Sequence, residues 1–239
     1  TDAALARLAA NGYYWREKFN EAAVYTLRAF RNSAYGDSKV LNQLAKLHFS
    51  RYRPLGFLNE IEIYTRSLHY NPGDIEAALE LAAVQIQLKQ TVKAQELLET
   101  YCRIFPDNLR LLRSLGEIYV VRGLSSKIFT TYEKILEYDP KDADAYYNLG
   151  IYYFNSEDTL NASKFFQKAI KVGNHLNSRL YLAKIAEKQN KIDDAIAFLR
   201  ERIRLKTGED DVYAEEARRH LLEIMLTLGK IDSTGKVVE

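Results

Sequence analysis

The stretch EYDPKDADAYYNLGIYY (137–153) has four tyrosines in its last eight residues, placed around Asn148, Leu149 and Gly150. A tyrosine ring favours apolar contact, while its hydroxyl group needs a polar partner. A glycine inside a helix costs about 1 kcal/mol relative to alanine. The stretch is therefore either a helix-packing pattern in which glycine permits a close approach, or an aromatic binding site.

The spacing of the prolines indicates how the chain is organised. Pro72, Pro106 and Pro140 lie 34 residues apart, and a fixed spacing of this size is typical of stacked repeats. Proline ends one helix and suits the first turn of the next. The sequence therefore predicts helices joined by short loops. The three loop regions are SLHYNPGD (67–74), YCRIFPDN (101–108) and ILEYDPKD (135–142).

Between these loops the apolar residues follow a helical period. They recur at i, i+3, i+4 and i+7, which is one face of an α-helix. Runs of alternating polarity with Asn-Gly or Asp-Gly turns, which would predict strands, are missing from the sequence. A pair of short helices cannot bury its apolar face alone, so several pairs must stack. One such helical series is Leu79, Ala82, Ala83 and Ile86.

With this period and pattern, the chain resembles the tetratricopeptide repeat (TPR) family, whose 34-residue repeat is a helix A, a turn and a helix B. The resemblance implies an all-α fold, a right-handed superhelical α-solenoid of about six to seven repeats. It also implies that Gly150 lies where helices A and B approach closely, and that Tyr146 and Tyr153 pack. The repeat that fits best starts at Ala143 and carries Tyr146, Leu149, Gly150, Tyr153, Ala162, Phe166 and Ala169.

The same pattern gives the expected repeat boundaries. We expect repeats to start near residues 3, 41, 75, 109, 143 and 176, with a last partial repeat from about 215. The resemblance extends over nearly the whole chain, so we expect a single solenoid domain over 1–239. Because the chain begins at Thr1, and Met225 is its one methionine, we expect it to be a fragment of a longer or processed protein.

The resemblance also implies where a partner binds. Residues of helix A line a concave groove in this family, and a groove of aromatic, amide and cationic side chains suits an extended peptide or a partner helix. We expect the partner-binding residues to be Asn42, Lys46, Phe49, Tyr52, Arg53, Arg110, Arg113, Glu117, Tyr147, Asn148, Ile151, Asn155, Tyr181 and Lys184.

One binding mode known in the family does not fit the sequence. A two-carboxylate clamp needs an asparagine where Glu117 stands, and cations where Asn177 and Tyr181 stand. RNA-binding pentatricopeptide repeats are also helix pairs, but they need a basic groove. The chain has 34 basic and 32 acidic residues, a net charge of +2, so we expect no nucleic-acid partner.

No arrangement typical of a catalytic or metal site stands out, so we expect neither an enzyme nor a cofactor. Cys102 is interpreted as a buried, inert thiol. The acidic run 209–211 lacks calcium-loop spacing, and is interpreted as a solvated loop before a helix, whose dipole it favours. The histidines are far apart in the sequence, with His48 and His220 expected on helix A; all four are His48, His69, His175 and His220.

Composition limits the environment. The sequence is 47% hydrophobic, which is enough for a sizeable core, but no apolar run approaches the roughly 20 residues of a membrane span. We expect a soluble protein in the cytoplasm or periplasm, without direct membrane insertion. A single cysteine excludes an internal disulfide.

These observations favour a noncatalytic scaffold that binds another protein or a peptide segment. Two alternatives stay open. The array could associate with itself, because solenoid ends need capping and the last repeat is cut short after Met225. It could also be the regulatory arm of an enzyme whose catalytic domain lies outside this sequence.

Overall fold

The computed structural model describes residues 2–32, 37–47 and 49–229, with the side chains of Asp2 and Phe49 outside the description. These residues form fourteen α-helices and one 3₁₀ turn, with no strand among them, which confirms the all-α prediction. The helices are α1 (Asp2–Tyr14), α2 (Phe19–Asn32), α3 (Ser38–Ala45), α4 (Phe49–Tyr52), α5 (Glu60–Tyr70), α6 (Ile75–Gln87), α7 (Thr91–Ile104), α8 (Leu109–Val121), α9 (Ser125–Tyr138), α10 (Ala143–Asn155), α11 (Thr159–Gly173), α12 (Ser178–Lys188), α13 (Ile192–Arg204) and α14 (Val212–Thr227).

Helix caps repeat with the prolines. Two residues after each evenly spaced proline stands an N-cap: Asp74 before α6, Asn108 before α8 and Asp142 before α10. Each cap side chain accepts a hydrogen bond from the backbone N–H three residues later. Such a cap stabilises a helix by about 1 kcal/mol. The proline and the cap together fix where one helix ends and the next begins.

The chain divides into two compact units, residues 1–122 and 123–239. In unit 1, helices pair as α1 with α2, α3 with α5 and α6 with α7, followed by α8. Its core includes Leu41, Leu44 and Ile63, which are fully buried. In unit 2, α9 packs on the pair α10 and α11, and α12 pairs with α13 before α14. Leu199 and Phe166 are fully buried in its cores.

The aromatic stretch of α10 is mainly a packing surface. A Cβ on Gly150 would lie 2.6 Å from the Phe166 ring of α11, so the glycine permits the close approach of the two helices. The ring of Tyr153 stacks on Phe165 at 5.2 Å between centroids, and Tyr146 lies 6.1 Å from the same ring. The close packing of helix A on helix B expected from the sequence is thus observed within this helix pair.

The second helix pair departs from the expected pattern. Its first helix starts at Ser38, three residues before the expected start near 41, because Asp37 caps it. The helix then breaks, resumes as α4 and ends in a 3₁₀ turn over Arg53–Leu55. Pro54 lies in the first turn of that 3₁₀ segment, and Gly56 closes it at φ 92°, a backbone conformation that favours glycine.

Two later starts also shift. Helix α12 begins at Ser178, where a start near 176 was expected, and α14 begins at Val212, where a start near 215 was expected. Residues 230–239, which follow the last helix, lie outside the described part of the chain. No helix in the described ranges is long and apolar enough to cross a membrane.

The loop before α14 is anchored rather than fully solvated, which corrects the expectation for the acidic run. The carboxylate of Asp211 accepts a hydrogen bond from the buried Arg202 guanidinium at 2.7 Å, and its side chain is 5% exposed. Asp211 also accepts hydrogen bonds from the N–H groups of Thr207 and Ala214. These donors lower the pKa of Asp211, first through the Arg202 hydrogen bond. Glu209 and Asp210 are exposed, as expected.

Candidate functional site

The first helices of successive pairs lie side by side in each unit. In unit 1 these are α1, α3, α6 and α8, and in unit 2 they are α10, α12 and α14. We call the surface that they share the first-helix face of the unit. Side-chain contacts between neighbouring first helices show their adjacency, for example Lys184 to Glu216 at 3.0 Å between α12 and α14.

Three predicted partner-binding residues of unit 1 form bridges within the first-helix face. The Asn42 amide donates to Asp74 at 2.9 Å and accepts from a serine hydroxyl group of α5. The ammonium group of Lys46 pairs with Glu80 at 3.0 Å. The guanidinium group of Arg110 pairs with the Glu76 carboxylate at 2.9 Å. These residues therefore join α3 to α6 and α6 to α8, whatever else they contact.

The prediction that Tyr52 lines the groove is wrong. Its side chain is 1% exposed within the core of unit 1, and its hydroxyl group donates to Glu60 at 2.7 Å. Burial, and then this carboxylate, raise the pKa of Tyr52 to about 12. The helix is interrupted between α3 and α4, so the register of one continuous helix, on which the prediction rested, does not apply to Tyr52. Arg53 is exposed on the 3₁₀ turn, whereas the Phe49 side chain and His48 lie outside the described residues.

Helix α8 carries the other two residues predicted in unit 1. Arg113 is half-buried and Glu117 is exposed. Both stand on the same helix as Arg110, one turn or more further along. Their role in partner binding stays a prediction.

In unit 2 the predicted tyrosines form an aromatic cluster. The ring of Tyr147 stacks on His175 at 4.0 Å and meets Tyr181 edge-on at 5.8 Å. Tyr181 stacks in turn on Phe166 at 5.0 Å, and Phe154 meets Tyr181 edge-on at 5.3 Å. Burial raises the pKa of Tyr147, and the nearby Tyr181 adds to the effect. The Tyr147 phenol is therefore a neutral hydrogen-bonding group.

The remaining predicted residues of unit 2 surround this cluster. Ile151 is half-buried beside it. The Asn148 side chain donates to the carbonyl oxygen of Asp144 in its own helix at 2.8 Å. Lys184 lies over the Tyr181 ring at 5.2 Å from the centroid, and Asn155 is exposed at the end of α10. The cluster thus has an apolar centre and a polar margin.

Sequence reasoning missed a cavity in unit 1, between α1, α2 and α3. It is open to solvent on one side and has a volume of about 160 Å³. Its walls include two alanines that are 2% exposed, Ala10 and Ala22, and Trp15 lines it with 84% of its surface exposed. We call it the α1–α3 pocket; its lining residues are Ala10, Asn11, Tyr14, Trp15, Ala22, Thr26, Asn42, Gln43, Lys46 and Leu47.

Two larger depressions, of about 490 and 400 Å³, adjoin the α1–α3 pocket and share Tyr14 and Lys46 with it. One extends toward α4 and includes Arg51 and the exposed ring of Phe19. The other extends toward α5 and α6, where the carboxylates are. The surface around Tyr14 is therefore apolar in the centre, cationic on one side and acidic on the other. The fact that Trp15 is the one tryptophan of the sequence was the signal that could have pointed here.

The histidine and cysteine side chains in the described ranges do not form a metal-binding group. No group of three or more histidine, cysteine, aspartate or glutamate side chains there could hold a metal ion. Cys102 is buried on α7. Among the histidines, His175 is half-buried against Tyr147, and His220 contacts Glu187 at 2.6 Å.

Two family models match the chain. One, described as a tetratricopeptide repeat, matches residues 61–118. The chain carries tetratricopeptide repeats. The second model, described as anaphase-promoting complex, cyclosome, subunit 3, matches residues 124–202. The TPR helix pairs of the structure therefore have a counterpart in family models on both sides of residue 122.

Curated relatives match only parts of the TPR chain, and the matches cover between 9% and 45% of the relatives' own length. The human protein O-mannosyl-transferase TMTC3 is 30% identical over 121 residues, 49% of this chain and 13% of that protein. The BBSome complex member BBS4 of Bos taurus is 27% identical over 128 residues, 54% of this chain and 24% of that protein. The matched segments are a small share of these two proteins, so the activities of the whole proteins do not transfer with the similarity.

Solved structures share the fold. A structure from the functional characterisation of Pseudomonas aeruginosa pilF aligns with a TM-score of 0.70 at 15% identity, covering 92% of this chain and 97% of that chain. MamA from Desulfovibrio magneticus RS-1 aligns with a TM-score of 0.60 at 22% identity, covering 72% and 95%. At these identities the likeness concerns the fold alone, an α-solenoid of TPR helix pairs.

Proposed function

We propose that this TPR chain is a noncatalytic scaffold that binds a protein partner on its first-helix faces, with the principal contact at the α1–α3 pocket. The observation that carries the proposal is the exposure of Trp15, 84% at the wall of an apolar cavity. Tryptophan is the residue type most enriched among interface residues that dominate binding energy. An exposed indole beside a cavity is unfavourable in water and favourable under a partner.

The surroundings of Trp15 support the proposal. Tyr14 is 46% exposed and Phe19 is 58% exposed, and both line depressions that adjoin the pocket. Contiguous exposed aromatic surface with a polar margin is typical of interaction sites. Lys46, one of the predicted partner-binding residues, lines all three cavities.

The ligand class that fits best is a peptide segment or a helix of another protein. A surface built of neighbouring first helices offers an extended face beside the α1–α3 pocket, which suits an elongated ligand. One of the structures similar in fold, YrrB, is described as a TPR protein with an unusual peptide-binding site (TM-score 0.57, 16% identity). The cluster of Tyr147 and Tyr181 in unit 2 would be a second contact area of this kind.

A self-assembling array is the second candidate. Leu222 and Leu226 are 43% exposed, one turn apart on α14, and a second copy could cover them. Sedimentation at several concentrations would test this: a mass that rises with concentration, and falls back in a Leu222→Lys/Leu226→Lys variant, would favour assembly over the scaffold.

A regulatory arm of an enzyme is the third candidate, suggested by the partial match to a transferase. It would place the catalytic residues in sequence outside 1–239. Assay of the parent protein with and without this segment would decide it. A change in turnover would favour this role.

The scaffold itself is tested by capture of partners from an extract of the source cells on the immobilised chain. We expect a partner retained by the unaltered chain to be lost from a Trp15→Ala/Lys46→Ala variant. A Val92→Ala/Lys93→Ala variant is the matched control, because both residues are exposed on α7, away from the cavities. Equal retention by both variants would contradict the proposed site.

A further inference from the structure

We infer that the α1–α3 pocket receives one tyrosine side chain from an acidic segment of the partner protein. The inference rests on the proposed function and names the chemistry of the ligand. Three observations carry it: the size of the pocket, a buried acceptor oxygen of a lining residue that lacks a donor, and the distribution of charge around the pocket.

The size of the pocket fits a single ring. A cavity of about 160 Å³ is close to the roughly 150 Å³ of an engineered apolar protein cavity that binds benzene. The small side chains of Ala10 and Ala22 create the space, and the rings of Tyr14 and Trp15 flank it. An aromatic side chain buries a large contact area at little cost in conformational freedom. A residue with a single aromatic ring is therefore the side chain that best fits this pocket.

A buried oxygen favours tyrosine over phenylalanine. The Gln43 amide nitrogen donates to the carbonyl oxygen of Arg7 at 3.3 Å and to the Asn11 side chain. The Gln43 Oε1 atom is buried, and no donor within the described residues reaches it. A buried carbonyl oxygen is unfavourable without a hydrogen bond. Gln43 lines the pocket, so a phenol that enters it would supply the missing donor once the Gln43 side chain turns this oxygen toward the ring.

Charge favours an acidic neighbour on one side of the ring. Arg51, in the depression toward α4, donates to the neutral side chain of Asn20 at 3.1 Å. No carboxylate among the described residues lines that depression or the pocket. The opposite depression contains Glu60 and Glu80, which would repel an acid. An acidic residue beside the tyrosine would therefore lie toward Arg51.

Trp15 provides a direct readout. It is the one tryptophan in the sequence, so a probe without tryptophan leaves its emission as the signal. We would titrate the full chain with acetyl-Asp-Asp-Tyr-Gly-Gly-amide and with acetyl-Gly-Gly-Tyr-Asp-Asp-amide, since either chain direction could bring the acids toward Arg51. We expect a saturable blue shift with at least one of them.

Altered probes and variants separate the three observations. Phenylalanine in place of tyrosine should weaken binding roughly fivefold, the effect of one hydrogen bond, and lysine in place of aspartate should weaken it further. Gln43→Leu should remove the preference for tyrosine over phenylalanine. Arg51→Ala should remove the preference for aspartate over lysine, while the exposed Arg28→Ala on α2 should leave both preferences unchanged. Arg51 is exposed, so its variant stays informative if Gln43→Leu unfolds.

The outcomes distinguish this inference from the proposed function. Equal affinity for the tyrosine and phenylalanine probes, or no response to any probe, would overturn the inference. If a captured partner is retained at the pocket but no probe displaces it, the scaffold stands and the tyrosine assignment fails. If the probes bind but no extract protein does, the pocket chemistry stands and the scaffold fails. A concentration-dependent shift without any probe would identify a second copy as the occupant and overturn the inference.

Discussion

Gly150 shows how one residue of a repeat pattern acts in the structure. The sequence placed it where two helices approach, and the structure gives the contact: a Cβ there would meet the Phe166 ring at 2.6 Å. This part of the packing was predictable, because glycine inside a helix is unfavourable unless a close neighbour requires it. The identity of that neighbour depends on how α10 and α11 cross.

We expect Gly150→Ala to destabilise unit 2. Overpacking of a helix contact costs about 1–3 kcal/mol, which exceeds the gain of about 1 kcal/mol from the better helix propensity of alanine. Urea unfolding would measure the change in the free energy of unfolding. The matched control is Gly12→Ala in α1, where a Cβ meets nothing within 4 Å. A stabilised Gly150→Ala variant would contradict the close packing.

His175 is a residue whose role the sequence could not give. It lies in the loop before α12, with its ring on Tyr147, its Nδ1 atom 3.0 Å from the Ser178 hydroxyl group and its Nε2 atom 3.5 Å from Asp144. Burial lowers the pKa of His175; Asp144 opposes the shift, while Arg179 and a second arginine reinforce it. The folded protein therefore favours neutral imidazole.

This shift predicts a pH dependence of stability. A histidine with a lowered pKa stabilises the fold above its unfolded pKa of about 6.5, and loses that contribution as pH falls below it. We expect the stability of the unaltered chain, relative to His175→Gln, to decline between about pH 7 and about pH 5. Thermal unfolding across this range would measure it, with the exposed Gln167→Ala as control. A relative stability that rises toward pH 5 would contradict the burial of His175.

At the scale of elements, the first helix of the second pair is the part that the repeat pattern could not predict. A continuous helix from near residue 41 would have carried Tyr52 and Arg53 outward. The chain instead breaks after α3, and Pro54 and Gly56 shape a 3₁₀ turn. Proline and glycine were visible in the sequence, but a helix break redirects every side chain after it. The register beyond the break could not be read from spacing alone.

Helix α14 depends on a contact with α13. Arg202, which is 2% exposed, donates to Asp211 at 2.7 Å and to the Asn177 side chain at 3.2 Å. Asp211 is also the N-cap of α14. The same carboxylate therefore starts the last helix and holds it to the one before. Sequence reasoning found the acids favourable for the helix dipole, but a buried arginine 9 residues earlier gives no pattern that predicts the pair.

We expect Asp211→Asn to loosen α14 locally. Asparagine retains the capping geometry but leaves the buried Arg202 without its counter-charge, which is strongly unfavourable. We expect hydrogen exchange, followed by mass spectrometry, to be faster in peptides of residues 212–227 of this variant than in the same peptides of the unaltered chain. Exchange in peptides of α10 should stay unchanged. The matched control is Asp210→Asn, since Asp210 is exposed. Equal exchange in both variants would show that the ion pair does not hold α14.

Over the whole molecule, the fold was more predictable than the site. The 34-residue spacing and the helical period predict an all-α solenoid, because each repeat carries the same pattern of apolar and small residues and must pack on its neighbours. Binding residues carry no such redundancy. Asn42, Lys46 and Arg110 bridge neighbouring helices. Polar side chains of these types suit such a bridge as well as they suit contact with a partner, so the sequence does not distinguish the two roles.

The α1–α3 pocket could not be predicted from repeats. It forms where Ala10 of α1 and Ala22 of α2 leave space beside α3, and small residues are common throughout TPR helices for packing reasons. Only the three-dimensional placement of Trp15 beside that space distinguishes it. Binding of another protein at this pocket is therefore the central expectation for the molecule.

The most direct test is photo-crosslinking from position 15. A photoreactive phenylalanine analogue would replace Trp15 in the full chain, with the same analogue at the exposed Val92 of α7 as control, and adducts formed in an extract of the source cells would be identified by mass spectrometry. We predict one protein adduct at position 15, absent at position 92 and suppressed by an excess of the acidic tyrosine peptide. No adduct at position 15, or the same adducts at both positions, would contradict the account.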